Sequence, residues 1–175
     1  MSEATLRRPT DARDPSRIPR CHGPPGCRLN VITSRGPGGL AGLTASAVCS
    51  VTDDPATILV CINRTSDNNA IIKANGVVCI NVLAAGQQDV SNVFAGATKC
   101  SVVERFETGT WDTMETGCPT LQGAAVVMDC RVDEVLEKGT HSVFFAQVAA
   151  LRLTGPSSAL MYWGRGYHPL GETAA

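Results

Sequence analysis

Seven stretches of β-branched and apolar residues recur from residue 29 onward, and they constrain the fold more than any other feature of the chain. Val, Ile, Thr and aromatic residues favour strands, and these stretches have the lengths of strands. The predicted strands cover residues 29–34, 43–52, 57–63, 77–83, 124–136, 142–154 and 159–163. A β-dominated domain is therefore expected.

Two segments have helical spacing instead: residues 67–75, closed by Gly76, and residues 87–95, closed by Gly96. Both are predicted to be short packing helices. Residues 137–139 are predicted to join two long strands as a hairpin. Many strands with only two helices favour a closed or nearly closed barrel over a parallel sheet with crossover helices.

The bulk composition excludes several classes of protein. A chain of 175 residues, 43% hydrophobic and 18% charged, can bury one substantial core, which predicts one domain. The net charge of -1 gives no reason to expect a nucleic acid or an anionic membrane as partner. No apolar run approaches the roughly 20 residues that span a bilayer, and the N-terminus lacks the apolar centre of a signal peptide. We expect a cytoplasmic protein.

The eight cysteines are expected to be reduced. Four of them lie within apolar runs, where a free thiol behaves as a small buried hydrophobe; these are Cys49, Cys61, Cys79 and Cys130. No CxxC pair occurs, and the closest pair, Cys21 and Cys27, lies in a Pro/Gly-rich stretch without a second pair nearby. No metal site is expected.

Residues 1–27 are polar, rich in proline and without periodicity, which predicts a disordered or irregular N-terminal arm before a folded domain at residues 28–175. Just beyond the arm, RGPGGLAG at residues 35–42 matches the G-x-G-x-x-A variant of the dinucleotide-binding fingerprint. Pro37 lies inside the match, and a strand follows where that motif needs a helix whose N-terminus binds phosphate. A glycine-rich hairpin turn is predicted instead.

Small and hydroxyl side chains fill the segment at residues 44–50. Small side chains on a strand let a flat ligand approach the backbone, so that amides and hydroxyls face its polar edge. The same pattern suits a tightly packed barrel strand, and composition leaves both interpretations open. The segment consists of Thr44, Ala45, Ser46, Ala47, Val48, Cys49 and Ser50.

Residues 63–69 pass from the end of a strand into the start of a helix. An arginine, two hydroxyls and free N-terminal amides come together there, which suits a phosphate. In the alternative interpretation Ser66 is only the helix N-cap and Arg64 a solvated surface residue. The segment consists of Asn63, Arg64, Thr65, Ser66, Asp67, Asn68 and Asn69.

His141 and the C-terminal aromatics are weaker candidates. His141 follows a hairpin and precedes an apolar run, so it can face a pocket mouth, although a lone histidine is more often structural. The C-terminal stretch suits either a lid that stacks on an aromatic ligand or a dimer contact. Its aromatic and basic residues are Tyr162, Trp163, Arg165, Tyr167 and His168.

Six blocks of sequence resemble the short-chain flavin reductases that supply reduced flavin to two-component monooxygenases. The likeness is greatest to the reductase component of 4-hydroxyphenylacetate 3-monooxygenase. The blocks are GLTASAVCSVTDDP (42–55), LVCIN (59–63), NGVVCINVL (75–83), ERF (104–106), GTHSVFFAQV (139–148) and LMYWGRGYHPL (160–170). The resemblance implies an FMN-binding split β-barrel with Greek-key strands, usually a homodimer, that transfers hydride from NADH or NADPH to FMN or FAD.

The resemblance also implies roles for individual residues. Residues 46–50 would line the isoalloxazine ring, residues 63–69 would hold the ribityl chain and phosphate, and Thr44 would support the first segment. His141 and the run Tyr162, Trp163, Gly164 and Arg165 would lie near the nicotinamide nucleotide. Hydride transfer needs the two rings in near-attack geometry but no acid, base or nucleophile, which explains why the chain shows no catalytic dyad. The partner would be an oxygenase reached by diffusion of reduced flavin.

The chain departs from that family at residues 18–26, which read IPRCHGPPG in place of an amphipathic helix. One set of codons for these residues, shifted by one base, encodes FRDAMARLG, which resembles the missing helix. We therefore expect that residues up to about Gly26 come from a shifted reading frame. A DNA sequence whose codons differ from that set would contradict this expectation. Two alternatives stay open for the whole chain: a reductase of corrinoid cobalt, and a split barrel that binds flavin without catalysis.

Overall fold

A computed structural model describes residues 27–154 and 158–171, which form twelve strands and three short helices. The strands are β1 (Cys27–Arg28), β2 (Asn30–Gly36), β3 (Gly39–Ala45), β4 (Val48–Asp53), β5 (Ala56–Asn63), β6 (Val77–Val82), β7 (Trp111–Thr113), β8 (Pro119–Leu121), β9 (Val126–Lys138), β10 (His141–Leu153), β11 (Ala159–Trp163) and β12 (Gly166–Leu170). The helices are α1 (Asp67–Asn75), α2 (Gln88–Phe94) and α3 (Val102–Arg105).

The predicted N-terminal arm and the frame-shift hypothesis concern residues outside the described ranges, with one exception. Cys27, which the prediction assigned to the arm, is buried and begins β1, where it pairs with Tyr162 of β11. Within the described residues, a strand therefore begins one residue before the predicted boundary of the domain.

Seven strands form one antiparallel sheet in the order β3-β2-β6-β9-β10-β5-β4. The two edge strands, β3 and β4, are consecutive in the chain, and only Ser46 and Ala47 join them. Three Cα–Cα steps span at most about 11 Å, so the sheet curls until its two edges meet. The result is a barrel that is split at Ser46 and Ala47, which confirms the predicted fold class, a mostly β split barrel with short helices.

Two apolar clusters stabilise this barrel. The first fills its interior and includes Ile32, Val60 and Phe144. The second lies outside the barrel wall and includes Val31 and Phe94. Val31 and Ile32 are neighbours on β2 and belong to different clusters because successive side chains of a strand point to opposite faces. The long apolar runs of the sequence therefore mark strands that are buried on both sides.

The predicted single strand at residues 43–52 is wrong. The chain leaves β3 after Ala45 and enters β4 at Val48, because Ala45 pairs with Asn30 of β2 whereas Val48 pairs with Val60 of β5. One continuous run of small residues thus serves both edges of the sheet. The other six predicted strands agree with β2, β5, β6, β9, β10 and β11 to within two residues at each end.

The two predicted helices and the glycine-rich turn agree with the structure, whereas α3 was not predicted and the hairpin predicted at residues 137–139 turns at Gly139 and Thr140, because β9 extends to Lys138. Helix α1 covers the predicted residues and ends at Gly76, whose φ of 66° is left-handed. Helix α2 lies inside the predicted range. The glycine-rich segment forms the β2–β3 hairpin, with Pro37 and Gly38 in the turn, which confirms the hairpin over the dinucleotide motif. Among the described residues, no helix is long and apolar enough to cross a membrane.

The four cysteines that were predicted to be buried differ in their actual burial. Cys79 and Cys130 are buried, and Cys61 is half-buried. Cys49 is exposed, so the prediction that it is buried is wrong. The reason is that β4 is an edge strand, most of whose residues face solvent. Burial, with the nearby Asp129 carboxylate, raises the pKa of the Cys130 thiol to about 12 and raises the pKa of Cys79 well above its usual value.

Thiol reactivity should follow this division, because the thiolate is the reactive form. We expect timed iodoacetamide labelling of the native protein, read by peptide mass spectrometry, to modify Cys49 first among the described cysteines. Cys79 and Cys130 should react only after unfolding in urea, which serves as the control. Equal native labelling of Cys130 and Cys49 would contradict the described burial.

Candidate functional site

The split in the barrel leaves backbone donors without partners. The carbonyl of Ser46 accepts from the amide of Val48 at 2.9 Å, and the carbonyl of Ala47 accepts from the amide of Cys61 at 3.0 Å. Within residues 27–154 and 158–171, the amides of Ser46 and Ala47 themselves donate no hydrogen bond. Ser46 is half-buried and Ala47 is exposed, so both amides are free to donate to the polar edge of a ligand.

Residues on both sides hold this split in place. The Thr44 hydroxyl donates to the carbonyl of Ser91 in α2 at 2.8 Å, which anchors β3 to that helix. The amide side chain of Asn30 is buried and donates to the carbonyl of Ala45 at 3.1 Å. Asn30 was not predicted from the sequence as a site residue, because only the β2–β3 register brings it beside Ala45.

Two cavities flank Ser46. One, of about 320 Å³, lies between β3, α2 and the C-terminal hairpin; Thr44, Ala45, Ser46 and Tyr162 line it. The other, of about 410 Å³, lies on the β4 side and brings in Val48, Cys49 and Ser50, with Asn30 and Met128 from across the barrel. Cys27 and Ser46 border both cavities, and Cys27 and Met128 are further lining residues that the sequence did not indicate.

The turn at residues 63–69 lies next to this split. The Asn63 carboxamide oxygen accepts from the Thr65 amide at 3.0 Å, which shapes the turn. Ser66 occupies the N-cap position of α1, but its hydroxyl accepts no capping bond from the helix amides. It accepts instead from Asn68 Nδ2 at 3.3 Å. The Asn69 amide already donates to the Ser66 carbonyl at 2.9 Å, which leaves the Ser66 hydroxyl and, among the described residues, the amides of Asp67 and Asn68 for an anion.

Arg64 and Asn69 are engaged elsewhere. Arg64 Nε pairs with Glu137 Oε2 at 3.0 Å, and Arg64 Nη1 donates to the carbonyl of Gly139 at 3.3 Å. The hydrogen bond from Lys73, together with those of Ser142 and the charge of Arg64, holds the pKa of Glu137 below its usual value. Asn69 is buried and donates to the carbonyl of Ile62 at 3.1 Å, so it fixes α1 to β5.

The sheet register brings the predicted segments together. Ala47 bonds to Cys61, two residues before Asn63, and Asn63 pairs with His141 across β5 and β10. His141 is exposed, and its Nδ1 lies 2.9 Å from the Thr140 hydroxyl. The split, the turn and His141 therefore follow one another along one edge of the barrel.

Two of the C-terminal candidates, Tyr162 and Tyr167, reach the split. Both line the cavity beside Thr44, and their rings pack edge-on with centroids 5.3 Å apart. Trp163, Gly164 and Arg165 line neither cavity within the described part of the chain. Trp163 ends β11, and Gly164 and Arg165 form the tight turn to β12 with left-handed φ values of 55° and 66°.

Fold and site together define an antiparallel split barrel that presents unpaired amides, two adjoining cavities and an anion-compatible helix start. These features suit a flat heterocycle with a polar edge and a phosphate tail, which is the shape of a flavin nucleotide. The unpaired amides at the split show that the residues present fit such a group.

Known proteins agree with this class. The flavin reductase like domain family matches residues 28–171. An FMN reductase (NADH), RutF, of Ancylobacter novellus is 49% identical over 148 residues, covering 85% of this chain and 81% of that protein.

Solved structures agree as well. A Haemophilus somnus protein described as a flavin reductase superposes with a TM-score of 0.79 at 38% identity, covering 83% of this chain and 92% of that one. BorF, the flavin reductase component of a bacterial two-component tryptophan halogenase, gives 0.76 at 25% identity, covering 85% of this chain and 92% of its own. The chain belongs to the flavin reductase like domain family, which confirms the predicted flavin reductase class.

Proposed function

We propose that this chain transfers a hydride from NADH to FMN, so that NADH, FMN and one proton become NAD⁺ and reduced FMN. The observation that carries the proposal is the pair of unpaired amides at Ser46 and Ala47, at the split of a flavin reductase barrel where Ser46 borders two cavities. The 49% identity to an FMN reductase (NADH) favours FMN over FAD and NADH over NADPH.

In this proposal the chain positions the two rings, and none of its own groups reacts. The nicotinamide and flavin rings supply the hydride chemistry, and the protein stacks them within reach of each other. The amides of Ser46 and Ala47 bind the polar edge of the ring, while Val48, Cys49 and Ser50 form the floor beside it. The start of α1 holds the phosphate end, and His141 with Tyr162 borders the nicotinamide.

We further propose that the reduced flavin leaves for a separate flavin-dependent enzyme. The resemblance of the sequence favours an oxygenase of the 4-hydroxyphenylacetate 3-monooxygenase type. BorF serves a two-component halogenase, which supports a division of labour between two proteins. Open cavities at the split suit a flavin that exchanges with solvent.

We also propose a homodimer. Among the described strands, the far half of β10, from Val148 to Leu153, pairs only with β9, whereas its first half also pairs with β5. Leu151 and Leu153 are 56% and 67% exposed there, and a second copy of the chain would cover them. Light scattering after gel filtration should give twice the mass of one chain, and a monomer at all concentrations would contradict this.

The function is tested by a steady-state matrix of two flavins and two nicotinamides. Purified protein should oxidise NADH when FMN is added, more efficiently than any combination with FAD or NADPH. A parallel reaction with an oxidised corrinoid measures the reduction of cobalt. No oxidation of either nicotinamide with either flavin would overturn the proposal.

Replacing His141 tests the nicotinamide side separately. His141→Ala should lower kcat/KM for NADH about tenfold, the effect of about 1.4 kcal/mol, while the Kd for FMN stays within twofold. The exposed His168, which bonds only to the Trp163 carbonyl among the described residues, gives the matched control His168→Ala. Wild-type kinetics in His141→Ala would remove His141 from the site.

A further inference from the structure

Gly42 lies in β3, and its backbone amide and carbonyl point toward the free edge of that strand, away from the sheet. Its amide donates to Asn68 Oδ1 at 3.0 Å, and its carbonyl accepts from Arg105 Nη1 at 3.2 Å. Because both backbone groups point away from β2, Gly42 and Thr33 form the non-hydrogen-bonded kind of antiparallel pair. The alternation repeats every two residues, so Thr44 and Ser46 follow Gly42 along the same free edge.

Part of the Arg105 guanidinium has no hydrogen-bond acceptor among the described residues. Nε is buried and has no acceptor among the described residues, and within the same ranges Nη2 donates to none either. The ion pairs of the described ranges do not include Arg105. The neighbouring Glu104 carboxylate does not compete, because it accepts from the amide of Ser101 at 2.7 Å.

This free edge of Arg105 has the geometry that anions use. The Nε and Nη2 groups lie on the same side of the guanidinium and can donate two parallel hydrogen bonds to one phosphate or carboxylate. A buried donor that lacks an acceptor is costly, so a ligand oxygen placed there gains more than one that replaces water at an exposed group.

Arg64 is a weaker candidate for the same task. Its Nε is already paired with Glu137 and its Nη1 with the carbonyl of Gly139. Its side chain is 53% exposed, and a phosphate would have to compete with the Glu137 carboxylate.

We propose that Arg105, and not Arg64, supplies the guanidinium that binds the flavin phosphate, an inference that rests on the proposed function. Through Gly42, Arg105 is linked to Asn68, whose Nδ2 donates to Ser66 Oγ. The phosphate then lies at the Gly42 end of the free edge and the ring at Ser46, about 13 Å further along an extended strand. The ribityl chain runs past Thr44 between them.

The test compares FMN with riboflavin, which has the same ring and ribityl chain but no phosphate. Equilibrium binding by flavin fluorescence is measured for the wild type, Arg105→Gln and Arg64→Gln. We expect Arg105→Gln to raise the Kd for FMN about tenfold or more, with the Kd for riboflavin within twofold. Arg64→Gln should change both values less than threefold.

Arg105→Lys keeps the charge but loses the paired donors, so it should give an intermediate, FMN-specific loss. It also replaces Arg105→Gln if circular dichroism shows that variant to be unfolded. A larger FMN-specific loss in Arg64→Gln, or equal losses for both flavins in the Arg105 variants, would overturn the assignment. A wild type that binds riboflavin as tightly as FMN would overturn this inference alone, whereas one that binds neither would overturn the proposed function.

Discussion

Gly42→Ala is expected to destabilise the protein by about 3 kcal/mol, at the upper end of the range for overpacking a core. A Cβ at this position would lie 2.5 Å from Phe94 Cε1 and 3.1 Å from Phe106 Cζ. Neither ring can move freely, because Phe94 is 2% exposed and packs on both Phe106 and Trp111, at centroid distances of 5.0 and 5.4 Å. Urea denaturation followed by tryptophan fluorescence measures the loss.

The matched control is Gly86→Ala. Gly86 lies in a turn with nothing within 4 Å of an added Cβ and without a left-handed φ. Its substitution should change the free energy of unfolding by less than about 0.5 kcal/mol. Equal stabilities of the two variants would mean that α2 and α3 do not pack on β3 as described.

Ser46→Phe is expected to abolish flavin reduction while leaving the barrel folded. Ser46 borders both cavities, so a phenyl ring there would occupy the space assigned to the isoalloxazine. Ser46 is half-buried at the split and lies outside the strands, so the barrel core keeps its packing. We expect kcat/KM for FMN to fall by about 100-fold or more, which corresponds to about 2.7 kcal/mol.

Val51→Phe serves as the control for Ser46→Phe, since Val51 is a 46% exposed residue of β4 that lines neither cavity. Its kcat/KM should stay within twofold of the wild-type value. Its thermal unfolding midpoint should stay within a few degrees of the wild-type midpoint. Normal flavin reduction by a folded Ser46→Phe variant would show that the ring binds elsewhere.

Local patterns in the sequence predicted most of the framework. Helix α1 was predicted at its observed ends because Gly76 takes a left-handed conformation that stops it. The break at Ser46 and Ala47 was not predicted, because both flanking strands are rich in small residues and only their partners differ. Strand β12 was missed because Gly166 and Pro169 weaken its pattern, and its pairing with β11 decides the outcome.

The site was predicted as segments, and its long-range contacts were not. Residues 44–50 and 63–69 do adjoin, because β4 pairs with β5. The engagement of Arg64 by Glu137 depends on a contact 73 residues apart in the chain, which no local pattern reveals. The same holds for Arg105 and Gly42, 63 residues apart. Pairings at such separations are set by the register of the whole sheet.

The most direct measurement is an anaerobic stopped-flow mixing of NADH with purified protein and one equivalent of FMN. We predict that the flavin absorbance bleaches as one NADH is consumed per FMN, and that Ser46→Phe removes this phase. FMN that binds at the Ser46 split but is not reduced by NADH or NADPH would contradict the central claim that this barrel is a flavin reductase.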